Sequence, residues 1–115
     1  MENILISITK VIIEGFDTYV IEYVDSNMGP GSIRLPEFSW TKSEIVNALI
    51  RTRYSQDRVE AIINNHFLNI AEWLDKKFTG EDVAFEDPEY DKLQEWRKQC
   101  KQWADEALEK YPSIN

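Results

Sequence analysis

Few residues in this chain of 115 could perform acid–base, nucleophilic or metal chemistry. The chain has a single histidine, His66, and a single cysteine, Cys100. Together they cannot form an internal disulfide or a cysteine-based zinc cluster, and they exclude most nucleophile–base arrangements. His66 lies three residues after Ile63 and four before Ile70, which predicts a packed ring with one bonded nitrogen rather than a general base. Cys100 is predicted to be a small buried hydrophobe rather than a reactive thiolate.

Carboxylates are densest in the segment GEDVAFEDPEYD, which runs from Gly80 to Asp91. A calcium loop needs alternating oxygen ligands around a central glycine and a distal glutamate, and this spacing is absent. Helix capping and a solvated surface explain these residues, so we predict no metal and no cofactor. Because no spacing supports a carboxylate pair or a phosphate loop, the chain is predicted not to be an enzyme; a small hydrolase is the third alternative.

The charge balance bears on which partners the protein could bind. The 13 basic and 21 acidic residues leave a formal net charge of −8, which opposes strong binding of the whole domain to nucleic acid or anionic lipid. An alternative is a DNA-binding or DNA-regulatory module at residues 42–66, where two short helices and a tight break loosely resemble a helix-turn-helix. Its candidate contacts are basic residues around that break: Lys42, Arg51, Arg53 and Arg58.

Targeting signals are not evident in the sequence. The first residues include the acidic Glu2, and polar residues interrupt the following apolar run, unlike a secretory signal. No run reaches the roughly 20 apolar residues of a membrane span. An unpaired cysteine fits a reducing compartment, so a cytoplasmic location without membrane contact is predicted.

The residue pattern changes near Trp40 from alternating β-branched and aromatic residues to helical periodicity. We predict a single α+β domain over residues 1–115, with a three-stranded antiparallel β-meander in 1–40. Two helices follow in 41–79, and an acidic linker and a C-terminal helix occupy 80–115. The predicted N-caps are Thr41, Ser55 and Asp87, and the predicted stops are Gly80 and Pro112.

Two apolar stripes are predicted on the longer helices. The second helix aligns Val59, Ile62, Ile63, Phe67, Ile70 and Leu74. The third aligns Leu93, Trp96, Cys100, Trp103 and Ala107 in steps of three and four. Because two other helices already offer apolar faces to a small sheet, the third stripe is predicted to be partly buried in self-association. The candidate interface residues are Trp96, Trp103 and Trp73.

The runs RTRYSQDRVEAIINNHF and EYDKLQEWRKQCKQWADEAL resemble, over residues 42–110, a pattern in small proteins encoded within phage and prophage gene clusters. In those proteins an Arg-Tyr-Ser element opens a helix, and a later helix carries an aromatic-Arg…Cys-Lys element, matched here by Trp96-Arg97 and Cys100-Lys101. Gln56-Asp57-Arg58 departs from the acidic stretch that many of them carry. The resemblance implies a small accessory protein of virion assembly or host interaction, which would then be virion-associated rather than cytoplasmic. We therefore predict a non-catalytic binding or assembly protein that self-associates or joins a larger protein.

Overall fold

The computed structural model describes residues 3–112, where a three-stranded sheet precedes three helices. The antiparallel sheet has the order β1-β2-β3, with strands at Ile4–Ile13, Phe16–Asp25 and Gly29–Pro36. A short 3-10 turn at Glu37–Ser39 leads into three α-helices: α1 at Lys42–Arg51, α2 at Gln56–Phe78 and α3 at Pro88–Lys110. The predicted α+β fold is confirmed. The predicted stop at Pro112 lies just beyond the end of α3.

The turns of the sheet follow local chemistry. Glu14 and Gly15 both have positive φ, at 52° and 82°, so the first hairpin turns with the mirror-image geometry that matches strand twist. The bulge in β1 falls between Leu5 and Ser7. β3 ends at Pro36, whose missing N–H cannot continue the ladder.

The helix boundaries confirm the predicted caps. Thr41, Ser55 and Asp87 each accept a hydrogen bond from the backbone N–H three residues on, and Pro88 occupies the first turn of α3. Each cap satisfies a donor that the helix itself leaves unpaired. Gly80 follows α2 with a φ of 87°, a conformation open to glycine without strain.

α1 and α3 cover one face of the sheet and form the core with it. The central strand contributes Ile21, α1 contributes Ile45 and Leu49, and all of these are fully buried. α3 buries the largest set of side chains: Leu93, Trp96, Cys100, Trp103, Ala104 and Ala107. The prediction of an interface at Trp96 and Trp103 is therefore corrected, because α3 rather than α2 packs on the sheet.

α2 extends away from this core. The described residues span 62 × 30 × 22 Å, and their radius of gyration is 18.1 Å. A compact domain of this length would have a radius of gyration of about 13 Å. Ile62 is the one buried residue of α2, and Phe67 and Leu74 are exposed, so the predicted stripe of α2 is not part of the core. Within residues 3–112, no helix has the length and apolarity needed to cross a membrane.

Candidate protein-binding surface

One side of α2 is covered by the chain that follows it. Residues 81–87 run back along the helix, and Trp73 Nε1 donates a 2.7 Å hydrogen bond to the carbonyl of Val83. The ring of Phe85 meets the rings of both Trp73 and His66 edge-on, with centroids 5.7 Å apart in each case. The covered side of α2 is thus fixed by aromatic contacts and one partly buried hydrogen bond of the Trp73 indole.

His66 lies on this covered side and joins α2 to the start of α3. Its Nδ1 lies 2.9 Å from Asp87 Oδ2, and because a carboxylate only accepts, Nδ1 is the donor. Asn69 donates to the same oxygen over 3.1 Å. The imidazole also stacks on Tyr90 with centroids 3.5 Å apart. This agrees with the predicted packed ring and bonded nitrogen, although its partner, Asp87, was not predicted.

The side chains that could take part in catalysis, His66 and Cys100, are engaged in packing. Besides its bond to Asp87, the His66 ring is flanked by the aromatic rings of Phe67, Phe85 and Tyr90. Burial raises the pKa of the Cys100 thiol to about 12, so it stays protonated and packs as a hydrophobe. Among residues 3–112, no group of three or more His, Cys, Asp or Glu residues could hold a metal ion.

Acid is expected to weaken the junction between α2 and α3 through Asp87. The hydrogen bond from His66 is the main cause that holds the pKa of the Asp87 carboxyl below its ordinary value of 3.8. A carboxyl with a lowered pKa stabilises the fold above its unfolded pKa, and this contribution is lost as the pH falls through the folded pKa. Below about pH 4 the melting temperature should therefore fall more steeply for the wild type than for Asp87→Asn. Parallel melting curves for the two proteins in acid would contradict this role.

An adjacent side of α2 presents an apolar surface to solvent. Phe67 is 64% exposed and Phe78 is 89% exposed, Leu74 is also exposed, and Ile63 and Ile70 are half-buried. These residues follow one another in steps of four, three, four and four, which places them on one face of a helix. We call this set, Ile63, Phe67, Ile70, Leu74 and Phe78, the α2 stripe.

The tryptophans predicted as interface residues do not form this surface. Trp96 and Trp103 belong to the core, and Trp73 is half-buried on the covered side of α2. Four residues of the α2 stripe, all but Phe78, belong to the apolar stripe predicted for the second helix. That prediction gives them a packing role rather than a binding role. Helical periodicity shows that a face is apolar and leaves open what covers it.

The basic residues of the DNA-binding alternative do not gather into one free surface. Lys42 Nζ lies 2.9 Å from Asp105 and Arg58 lies 2.7 Å from Glu89. Arg53 lies 3.6 Å from Asp25 and over the ring of Trp96. Arg51 is exposed at the end of α1. Since three of the four cations face carboxylates of the same chain, this arrangement does not favour phosphate binding.

A polar cavity of about 400 Å³ lies between the β2–β3 turn and α3. Asp25 is buried at its edge and accepts the N–H of Met28 over 2.9 Å. Arg53 lies near the same carboxylate oxygen and covers the Trp96 ring at 5.3 Å from the centroid. Because Asp25 and Arg53 face each other, their interaction connects the β2–β3 turn to the helices. The cavity is therefore best explained by packing.

Comparisons with protein-family models, with curated proteins and with solved structures find no match. The assignment of the α2 stripe as a candidate surface therefore rests on its geometry alone. Its apolar side chains are aligned on one face of a helix that extends from the core. Single exposed hydrophobic residues are ordinary on a protein surface, whereas a contiguous row of them makes this face of α2 a candidate binding surface. The chemistry that this row supports is the burial of apolar area against another protein.

Proposed function

We propose that the protein is a non-catalytic binding or assembly protein and that it associates with another protein through the α2 stripe. The observation that carries this proposal is the exposure of Phe67, Leu74 and Phe78 on one face of α2. Exposed apolar area costs free energy in water, and covering it with a partner recovers roughly 25 cal/mol per Å². A helix face with this spacing is matched by another helix or by an apolar groove.

The charges support a protein partner rather than a nucleic acid. The formal net charge is −8, and most cations near the break between α1 and α2 face carboxylates of the chain. The resemblance of residues 42–110 to phage and prophage proteins adds a narrower proposal. In this proposal, the partner belongs to virion assembly or to the host, and the protein acts as an accessory without enzymatic activity.

Removing apolar area from the α2 stripe is expected to abolish partner binding without unfolding the protein. The test variant is Phe67→Ser with Leu74→Ser, two exposed residues whose loss leaves the core intact. Immobilised wild-type protein should retain specific proteins from the cells that make it, a second copy of this chain included, and the double variant should not. Circular dichroism checks that the variant retains its helices.

Leu68→Ser is the matched control for this experiment. Leu68 is 63% exposed, nearly the same as Phe67 at 64%, but lies about 100° further round the helix and outside the α2 stripe. The control should therefore bind as the wild type does. Equal retention of all specific proteins by the wild type and the double variant would refute the proposed function.

A further inference from the structure

We infer that the partner of the α2 stripe is a second copy of this chain, whose α2 packs antiparallel to the first. This inference rests on the proposed function, since both use the same surface, and it names the occupant. Three observations support it: the heptad spacing of the stripe, the opposite charges at its two ends, and the extension of α2 from the core.

Four residues of the α2 stripe, all but Phe78, lie in two interleaved rows with a spacing of seven residues, and each row is extended by one charged residue. One row is Glu60, Phe67 and Leu74, and the other is Ile63, Ile70 and Lys77. In a helix pair such rows form the a and d positions that pack between the two helices. The inner positions are apolar, whereas the two ends of the seam carry one acidic and one basic residue.

Only an antiparallel arrangement brings these end charges together favourably. In that arrangement Phe67 packs on Ile70 of the second copy, Ile63 packs on Leu74, and Glu60 meets Lys77. Two-fold symmetry makes each of these contacts occur twice. A parallel pair in register would instead place Glu60 against Glu60 and Lys77 against Lys77, which repel. The charge pattern thus favours one orientation and rejects the other.

Both end residues are exposed, and each makes a surface contact within its own chain. Glu60 is exposed and accepts a 3.2 Å hydrogen bond from Gln56 on the same helix. Lys77 lies 3.6 Å from Asp82, whose carboxylate is fully exposed, and its Nζ lies 5.8 Å from the centroid of the Trp73 ring. Such exposed contacts contribute little and are readily exchanged. Since α2 extends away from the core, an antiparallel partner would carry its own core at the opposite end of the helix pair.

Charge exchange at the two ends tests the inference by sedimentation equilibrium at low salt. The wild type should form dimers in a concentration-dependent manner. Glu60→Lys and Lys77→Glu should each weaken the dimer by about tenfold, because each turns two attractive contacts into repulsive ones. The double variant Glu60→Lys with Lys77→Glu should restore the wild-type affinity. Leu68→Ser should leave it unchanged.

Each other outcome overturns the antiparallel pairing. If the wild type stays monomeric at every concentration, a second copy of the chain is not the partner of the α2 stripe. Single variants that dimerise as the wild type does, or a double variant that fails to recover, exclude contact between Glu60 and Lys77 of the second copy. If Phe67→Ser with Leu74→Ser still loses a different captured protein in these cases, the proposed function stands and only the occupant is wrong.

Discussion

Replacing Trp103 with alanine is expected to lower the free energy of unfolding by about 3–5 kcal/mol, the usual cost of deleting a buried aromatic side chain. Trp103 is 1% exposed and lies at the centre of the core, where its ring contacts Tyr23 at 4.9 Å and Trp96 at 5.7 Å between centroids. A domain of this size has a total stability of about 5–15 kcal/mol. Urea unfolding followed by circular dichroism measures the loss.

Trp103→Phe is the control for this prediction. Phenylalanine keeps a ring against Tyr23 and leaves a smaller cavity, so it should lose about half as much stability as alanine. Trp103→Glu should not fold, because it places an unpaired charge in the core. A Trp103→Glu protein that folds normally, or a loss below about 1 kcal/mol for alanine, would show that α3 does not pack on the sheet as described.

Gly31→Ala is expected to destabilise the protein by about 1–3 kcal/mol through overpacking. A Cβ at Gly31 would lie 2.9 Å from Cε2 of Tyr23 and closer still to its hydroxyl. Tyr23 cannot move aside freely, because its hydroxyl donates a 2.7 Å hydrogen bond to Thr52 and its ring packs on Trp103. Denaturant unfolding of Gly31→Ala should show this loss of stability. When Tyr23→Phe is present as well, the loss caused by Gly31→Ala should have a different size.

Ser32→Ala serves as the neighbouring control, since Ser32 is exposed and follows Gly31 on the other face of β3. Its stability should stay within about 0.5 kcal/mol of the wild type. A Gly31→Ala protein as stable as Ser32→Ala would mean that the Tyr23 ring does not lie over the glycine.

Local features of the fold could be predicted because they depend on neighbours in sequence. The caps at Thr41, Ser55 and Asp87 each need a side-chain oxygen and a backbone N–H three residues away. The first hairpin likewise depends on a local residue, Gly15, which adopts positive φ without strain, whereas Glu14 takes a positive φ that residues other than glycine rarely adopt. The order of strands before helices then sufficed to predict the α+β class.

What covers each helix could not be predicted, because it depends on competition between distant elements. The sequence pattern favours α1 and α2 as the covers of the sheet, whereas in the structure α3 takes the place of α2 through Trp96, Cys100 and Trp103. The bond between His66 and Asp87 joins residues 21 positions apart, so helical spacing around His66 does not indicate it. The candidate binding surface on α2 was missed for the same reason.

The position of α3 has a consequence for synthesis on the ribosome. α3 supplies the largest buried set of side chains, yet it is made after the sheet, α1 and α2. Until it leaves the exit tunnel, the sheet and α1 expose Tyr23, Ile33 and Leu49 without their cover. A nascent chain in this state has open strand edges and apolar area, and is a substrate for chaperones. The completed core should therefore form late, when α3 docks on strands made several seconds earlier.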